Sequence, residues 1–499
     1  MKQKLILAIF IGLCFWSITF STPKNLLFLA SQSISKLNLF RASPKSKTDI
    51  LISLPRARFH QKPKPLAKGA ITSSWTSFLG PTHNSVSNET KLLKKWSETG
   101  PPLVWELDKG TGYTSPAILN SRLVYFYRHQ NQEVIDCLHP ETGNRYWKYN
   151  YPTQYRDRYG YNNGPRSSPV IDSDRVYTYG AEGKLHCLNL KTGEIIWKRD
   201  FLQEFNLSQD FFGIASTPLI EGKALIVVIG APNGPTVGAF DKFTGKLIWG
   251  TKDTWGASYA SPIPATVDGK RRIFVFAGGE SRPPTGGLLS INPIDGAIDF
   301  RFPWRSQSYE SVNASCPVII GNQVFISASY KTGAALINTS LKNSPSRLAW
   351  TASHFGLHWN TPIYKTGYLY GFDGRNEPDA ALTSIDLKTG KEMWRAVPEW
   401  EETIKIRDRQ LKRSFSTYRG SLLWADDHFL CLGEMGHLLW LDLSPKGYRI
   451  LARTWLFAAR ETWSPLVLSN GLLYVSQNRR GFLKGESPRL LCYDLRASL

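Results

Sequence analysis

Thr192-Gly193-Glu194-Ile195-Ile196-Trp197 decides the fold, because the rest of the chain repeats it. Three further copies of Thr-Gly-x-x-x-Trp end at Trp147, Trp249 and Trp394. The steps from Trp147 to Trp197 and on to Trp249 are 50 and 52 residues. A fixed period of this length marks a propeller or a solenoid.

The repeating unit reads as four strands. Residues 167–171 make the inner strand, 175–180 the second, 184–189 the third and 195–198 the outermost. The second alternates in polarity as a half-buried strand does. Asp172-Ser173-Asp174 and Ala181-Glu182-Gly183 supply polar, Gly-containing connections. Gly193 closes the last hairpin, since a short turn needs the positive φ that Gly adopts without strain. Trp197 then offers a flat ring that buries roughly 150–250 Å² and donates an N–H. On the outer strand that ring is expected to wedge against the neighbouring blade. The docking residues are Trp105, Trp147, Trp197, Trp249, Trp350, Trp394 and Trp455, with Phe300 as a weaker copy.

Working outward, a small or polar residue followed by Pro opens each inner strand. It recurs at Ser115-Pro116, Ser168-Pro169, Thr217-Pro218, Ser261-Pro262, Cys316-Pro317, Thr361-Pro362 and Ser464-Pro465, with Arg419-Gly420-Ser421 as a degenerate copy. Pro is tolerated at the first residue of a strand. The count is eight. The last unit stops without a fourth strand, while residues 103–105 look like a fourth strand with no three before it. The reading is an all-β, eight-bladed propeller of four-stranded blades over 71–499, closed by an N-terminal strand. The blades fall near 107–150, 151–200, 201–252, 253–304, 305–353, 354–397, 398–458, and 459–499 with 103–106. Closure leaves only short edges at the rims, and one monomeric propeller is expected.

The chain has 499 residues, and 13% are aromatic, which suits many small repeated cores in one radial domain. Its six Cys include no adjacent pair, no Cys-x-x-Cys and no haem-attachment motif. Cys137, Cys187 and Cys492 share one third-strand position and read as small buried residues. The net charge is +21. Residues 1–70 carry twelve Lys/Arg against Asp49 alone, so +11 of it lies in that tail. A basic tail suits an anionic lipid or polymer surface. With no recognised nucleic-acid motif, no nucleic-acid partner is expected.

Residues 1–21 have a basic start, an apolar run over 5–20 and small polar residues after it. This is the pattern of a signal peptide, or of an uncleaved membrane anchor slightly short of a comfortable span. Residues 22–70, rich in Ser, Pro and Lys, read as a largely disordered linker. Either way the propeller is expected outside the cytoplasm, in the periplasm or at the cell surface.

The pattern Leu-x-Cys/Ala-Leu-Asp/Asn-x-x-Thr-Gly-x-x-x-Trp is matched by residues 185–197, and 382–394 follow it closely with Ser384 and Ile385 at the Cys/Ala and Leu positions. It resembles the tryptophan-docking repeat of the pyrroloquinoline quinone-like eight-bladed propellers, which include quinoprotein dehydrogenases. Trp75-x-x-Phe78-x-Gly80-Pro81 is similar to the opening of extracytoplasmic propellers of this type, such as the propeller lipoprotein of outer-membrane assembly. For its enzymes the resemblance implies quinone on Ca²⁺ beside a vicinal disulfide and a catalytic Asp. This chain lacks the adjacent Cys pair, and Asp241 and Asp386 sit at repeating hairpin positions where an Asx-type turn is expected. The resemblance therefore implies the fold more firmly than a cofactor, and no metal site is expected.

Three residues before each Pro, the chain should line the mouth of the central channel. These are Tyr113, Arg166, Ala215, Tyr259, Ala314, Trp359 and Thr462, with Tyr418 before the degenerate copy; neighbours are His358, Arg419, Glu461 and Trp463. Aromatic faces with Arg and Glu suit a sugar, a quinone or a peptide end. The opposing reading is a channel plugged by aromatics, with Arg166 paired to Glu461. His358 and His437 lack a second ligand at metal spacing, and no catalytic residue is assigned. Three functions follow: a non-catalytic binding or scaffold module with an envelope protein or polysaccharide partner; a pyrroloquinoline quinone and calcium dehydrogenase with a divergent site; and a carbohydrate-binding or carbohydrate-active propeller.

Overall fold

Alternation of apolar and polar residues, broken at regular intervals by Gly and Pro, folds each repeat into a four-stranded antiparallel sheet. The computed structural model describes residues 55–253, 255–340, 346–406 and 409–497. Blade 1 is Ala117–Leu119, Arg122–His129, Gln132–Leu138 and Arg145–Pro152. Blades 2 to 7 lie within 170–200, 219–251, 263–303, 318–352, 363–396 and 421–455. Blade 8 is Val467–Ser469, Leu472–Ser476 and Arg489–Asp494, completed by Leu103–Asp108 pairing antiparallel with Arg489–Asp494. The chain thus closes as its sequence implies. Apolar side chains of successive blades meet face to face: Tyr179, Leu185 and Phe201 of blade 2 and its following turn pack on Leu225, Val227 and Phe240 of blade 3.

Three departures from the sequence reading have local causes. Residues 399–416 do not belong to blade 7. They form a separate hairpin, Glu399–Ile406 with Arg409–Ser416, whose strands pair only with each other and lay Trp400 and Phe415 against His437 of blade 7. Residues 55–70, read as disordered, lie on blade 8: Arg58–Phe59 adds a short strand to Leu103–Asp108. There Arg58 reaches Glu106 and Asp108, the Lys64 amide donates to Asp494, and Arg496 donates to the Lys64 carbonyl. Arg58 thus meets acids of the closing strand, and the Lys64 backbone is held by Asp494 and Arg496. The expected signal or anchor, and the linker up to residue 54, lie outside the described residues.

The third concerns Trp455. In the other docking blades the Trp stands beside a bulge, opposite the third strand: Trp147 faces Cys137, Trp197 faces Cys187 and Trp105 faces Cys492. In blade 7 that register position is Ala452, opposite Trp440. Trp455 lies at the far end of its strand and stacks on His437 at 4.7 Å. Its N–H goes to the Met435 carbonyl of its own blade. The reason is topological. In the next blade the third strand, Arg489–Asp494, pairs with Leu103–Asp108 from the far end of the chain, so no turn joins them to dock on. Residues 91–97 fill the gap instead: Leu93 takes the Trp440 N–H on its carbonyl and donates to the Leu495 carbonyl.

The other six Trp dock as expected. Trp105, Trp147, Trp197, Trp249, Trp350 and Trp394 donate to carbonyls of Pro140, Leu190, Lys242, Pro293, Leu387 and Ser444, each in the following blade's turn. In the first five, the Gly of that turn lies under the ring. A Cβ on Gly193 would stand 2.6 Å from Trp147. Asp241 and Asp386 serve as turn caps, each accepting from the Thr three residues on. Where Phe300 replaces Trp, Arg347 of the next blade lies over its ring at 4.0 Å.

The residue before each inner-strand Pro has a bonding role. The Ser115 amide donates to Ser168 Oγ, Ser168 to Thr217, Thr217 to Ser261, Ser261 to Cys316 Sγ, and Cys316 to Thr361. One side-chain acceptor per blade thus links neighbouring inner strands around the channel. Gly420, at the degenerate copy, has no side chain to take part.

Residues 75–87 cross the opposite end of the channel. Trp75 bridges Ile118 of blade 1, Thr76 accepts from Ile171 of blade 2, and Val86 bridges Trp424 of blade 7. Leu79 is buried against inner-strand residues Ile263, Ala265 and Val267. One end of the channel is therefore roofed by this segment.

Candidate functional site

At the unroofed end, the inner-strand starts and the loops between blades enclose a cavity of about 150 Å³. Tyr113, Arg166, Ala215, Tyr259, Ala314, Trp359 and Trp463 line it, with Tyr161, Phe212, Val312 and His358. Trp463 is its hub. Tyr113 stacks on it at 5.2 Å, Tyr161 meets it edge-on at 5.4 Å, and Trp359 lies tilted at 6.1 Å. Phe212 joins Tyr161 to Tyr259 by two further edge contacts. Such offset and edge arrangements are the favoured ones for aromatic pairs.

Charges stand behind this aromatic wall, already paired. Buried Glu434 takes the Arg419 guanidinium and, at 2.7 Å, the Trp463 indole N–H. Arg419 in turn lies 5.2 Å over the Trp463 ring. Glu461 accepts from both Arg479 nitrogens, at 2.6 and 2.7 Å, and from the Tyr113 hydroxyl. Arg166 pairs with buried Asp157 at 2.7 Å. Burial, then the Glu461 charge, push the Tyr113 hydroxyl far above its ordinary value. Burial, with Arg419 and Arg375 nearby, pushes the His358 imidazole down to about 3, so it is neutral at physiological pH. Its Nε2 meets the Tyr330 hydroxyl at 3.1 Å.

Seven of the eight sequence-derived candidates fall into three groups here. Tyr113, Arg166, Tyr259, Trp359 and Trp463 line the cavity; Arg419 supports it from behind by fixing Trp463. Glu461 acts one step away through Tyr113. Tyr418 lies at the end of the extra hairpin, its amide bonded to Ser416, and does not reach the cavity. Arg166 and Glu461 are not partners: each has its own counter-ion. The aromatics ring a void of about 150 Å³ at the mouth. Tyr161 and Phe212 escape the inner-strand count because they come from inter-blade loops, where the period gives no register. The aromatic-dense stretches Tyr155 to Tyr161 and Phe211-Phe212 are the only signal the sequence carries for them.

A family model described as outer membrane protein assembly factor BamB matches residues 130–396. The chain belongs to this family of PQQ-like repeat propellers. A BamB from Aliivibrio fischeri is 43% identical over 44 residues, 9% of this chain and 11% of that relative's length. Among solved structures, BamB from Moraxella catarrhalis superposes with a TM-score of 0.51 at 14% identity, over 80% of this chain and 98% of that one. A europium-containing methanol dehydrogenase gives 0.59 at 10% identity, over 85% and 98%. A quinohemoprotein alcohol dehydrogenase from Comamonas testosteroni gives 0.59 at 12%, over 85% and 81%. At these identities the superpositions speak for the fold alone, and a fold shared by assembly factors and dehydrogenases does not choose between them.

Proposed function

We propose that this PQQ-like propeller is a non-catalytic docking module of the cell envelope, outside the cytoplasm, that holds a partner protein at its channel mouth. The observation that carries this reading is the commitment of the three acids that hold Trp463, Tyr113 and Arg166 in the wall. Glu434, Glu461 and Asp157 are each bound by an arginine. An acid so held is a poor general base, because its charge is spent on the ion pair.

The same lining does not fit a quinone held on a calcium ion. A hard cation takes six to eight oxygen ligands, whereas the groups facing this cavity are aromatic rings, alkyl side chains, one Arg and a neutral His. Among the described residues no three His, Cys, Asp or Glu come together in a way that could hold a metal ion. A void of about 150 Å³ is also small beside the ~300–1,000 Å³ of sites that enclose whole cofactors. It suits one apolar side chain. The family description and the signal-like N-terminus support the envelope location.

The test is calorimetric titration of the protein with pyrroloquinoline quinone and Ca²⁺, followed by a dye-linked alcohol oxidation assay. No calcium-dependent binding and no turnover is the expected result. Tight calcium-dependent binding with turnover abolished by Trp463→Ala would make the mouth an active site and overturn the docking reading.

A further inference from the structure

The aromatic cavity has a neighbour on the same face. A groove of about 420 Å³ runs over blades 5 and 6, lined by Ser308, Ser329, Tyr330, Lys331, Arg375 and Asn376 among others. The wall between the two is one side chain thick. His358 lines the cavity, Tyr330 lines the groove, and the two are hydrogen-bonded at 3.1 Å. A second tie runs from Arg419, which lies over Trp463, to the Arg375 carbonyl at 2.9 Å.

The groove differs from the cavity in chemistry. Its Arg395 is neutralised by Asp373. The Arg375 guanidinium stacks on Tyr330 at 4.3 Å and forms no ion pair among the described residues. Lys331 likewise has none there. Against these two cations stands the second groove acid, Asp379, whose carboxylate takes a long 3.5 Å contact from Asn376 and whose carbonyl takes Arg395. Tyr330 and Lys331 both hold positive φ, 58° and 63°, a conformation costly for non-Gly residues that persists where surrounding structure enforces it. Two cations and three serines are thus presented beside an apolar box.

We infer that cavity and groove form one bipartite site for a protein C-terminus: the last side chain, apolar, in the aromatic cavity, and its carboxylate on Arg375 and Lys331. A planar guanidinium is the preferred partner of a carboxylate because it donates two parallel N–H groups. The groove leaves room for the residues preceding the terminus. This rests on the docking reading above and names the part of the partner that is held.

The experiment uses short peptides ending in Trp or Leu, each as the free acid and as the C-terminal amide, with N-acetyl-tryptophan as a small carboxylate, titrated against the full chain. The free-acid peptides are expected to bind at least about tenfold more tightly than their amides, since hydrogen bonds to charged groups are the strong ones. That preference disappears in Arg375→Gln/Lys331→Gln, while Tyr161→Ala weakens acid and amide alike. N-acetyl-tryptophan binding as tightly as the peptides would assign the site to a small acid and overturn the C-terminus. Acid and amide binding equally would overturn the carboxylate role and leave the mouth a docking site for a side chain. Binding of no peptide in either form, with parent and variants folded by circular dichroism, would overturn this proposal and count against docking at the mouth as well.

Discussion

On the turn face, Gly193 lies under Trp147 and Gly245 under Trp197, and the same contact recurs at Gly143, Gly296 and Gly390. On the mouth face, the eight equivalent positions carry Tyr113, Arg166, Ala215, Tyr259, Ala314, Trp359, Tyr418 and Thr462. The strands are the same; their two ends differ. A turn residue must fit its neighbour's ring, and that constraint is identical from blade to blade, so the sequence repeats. The mouth residues that line the cavity face a void and not a neighbour's ring, so nothing forces them to match one another. Where the period fails, chemistry is free to vary.

The largest expected effect tests whether the turn-face contacts hold the ring together. Trp105 is fully buried on the strand that closes blade 8, with its N–H on Pro140. Trp105→Ala is expected to cost about 3–5 kcal/mol, the range for a buried large aromatic. Tyr161→Ala at the mouth, half-buried, is expected to cost only about 1 kcal/mol. Chemical denaturation of both variants checks this. Equal losses would mean that the mouth aromatics, too, are structural.

Next comes a buried lysine behind the mouth. Lys109 is enclosed, with its Nζ on the Gly112 carbonyl at 3.3 Å, and burial alone lowers it from 10.5 to about 7. Between pH 7 and 10.5 the unfolded chain binds the proton that the folded chain has lost, so stability rises with pH across that window. The penalty is fully present below about pH 7. Lys109→Met is therefore expected to be more stable than the parent by a few kcal/mol at pH 6, with the difference shrinking as pH rises and vanishing near 10.5. A difference independent of pH would show that the amine is hydrated in solution.

Much of this was legible in the chain. Thr-Gly-x-x-x-Trp names both partners of a repeated contact, and Ser-Pro or Thr-Pro marks the hydrogen-bonded inner ring, so blade number and closure follow. Blade 7 was harder to read. Its hairpin turns on Ser444-Pro445-Lys446-Gly447 without Thr-Gly, and the Trp455 of its fourth strand belongs to the wrong end of that strand. At the mouth, counting from Pro located six of the lining residues. It could not reach Tyr161 or Phe212, whose loops have no repeat to count from, nor foresee that Arg166 and Glu461 would choose Asp157 and Arg479 over each other. Pairing of charges depends on distances that only the closed ring fixes.

A smaller effect sharpens the turn-face rule itself. Gly193 and Gly222 both hold positive φ, 77° and 58°, but only Gly193 has a ring above it. Gly222→Ala is expected to cost about 1–2 kcal/mol, the backbone term alone. Gly193→Ala should cost more, because its methyl also displaces Trp147. If thermal or chemical unfolding gave the same loss for both, the close approach would relax freely, and the Gly would be there for the turn and not for the ring.

The smallest effect lies where the repeat substitutes one interaction for another. Phe300 has no N–H to donate, and Arg347 covers it while binding the Thr339 carbonyl at 2.9 Å. The guanidinium thus does two jobs that a docking indole does elsewhere: it covers the joint between blades and satisfies a turn carbonyl. Arg347→Ala is expected to cost about 1 kcal/mol, the scale of a partly exposed cation–π contact with its hydrogen bond. In Phe300→Trp the new indole N–H becomes available for a turn carbonyl, so removing Arg347 from that background should cost less. A double-mutant cycle isolates this coupling, expected at about 0.5 kcal/mol. Strict additivity would mean that Arg347 merely rests on the ring, and that blade 4 docks on blade 5 by apolar contact alone.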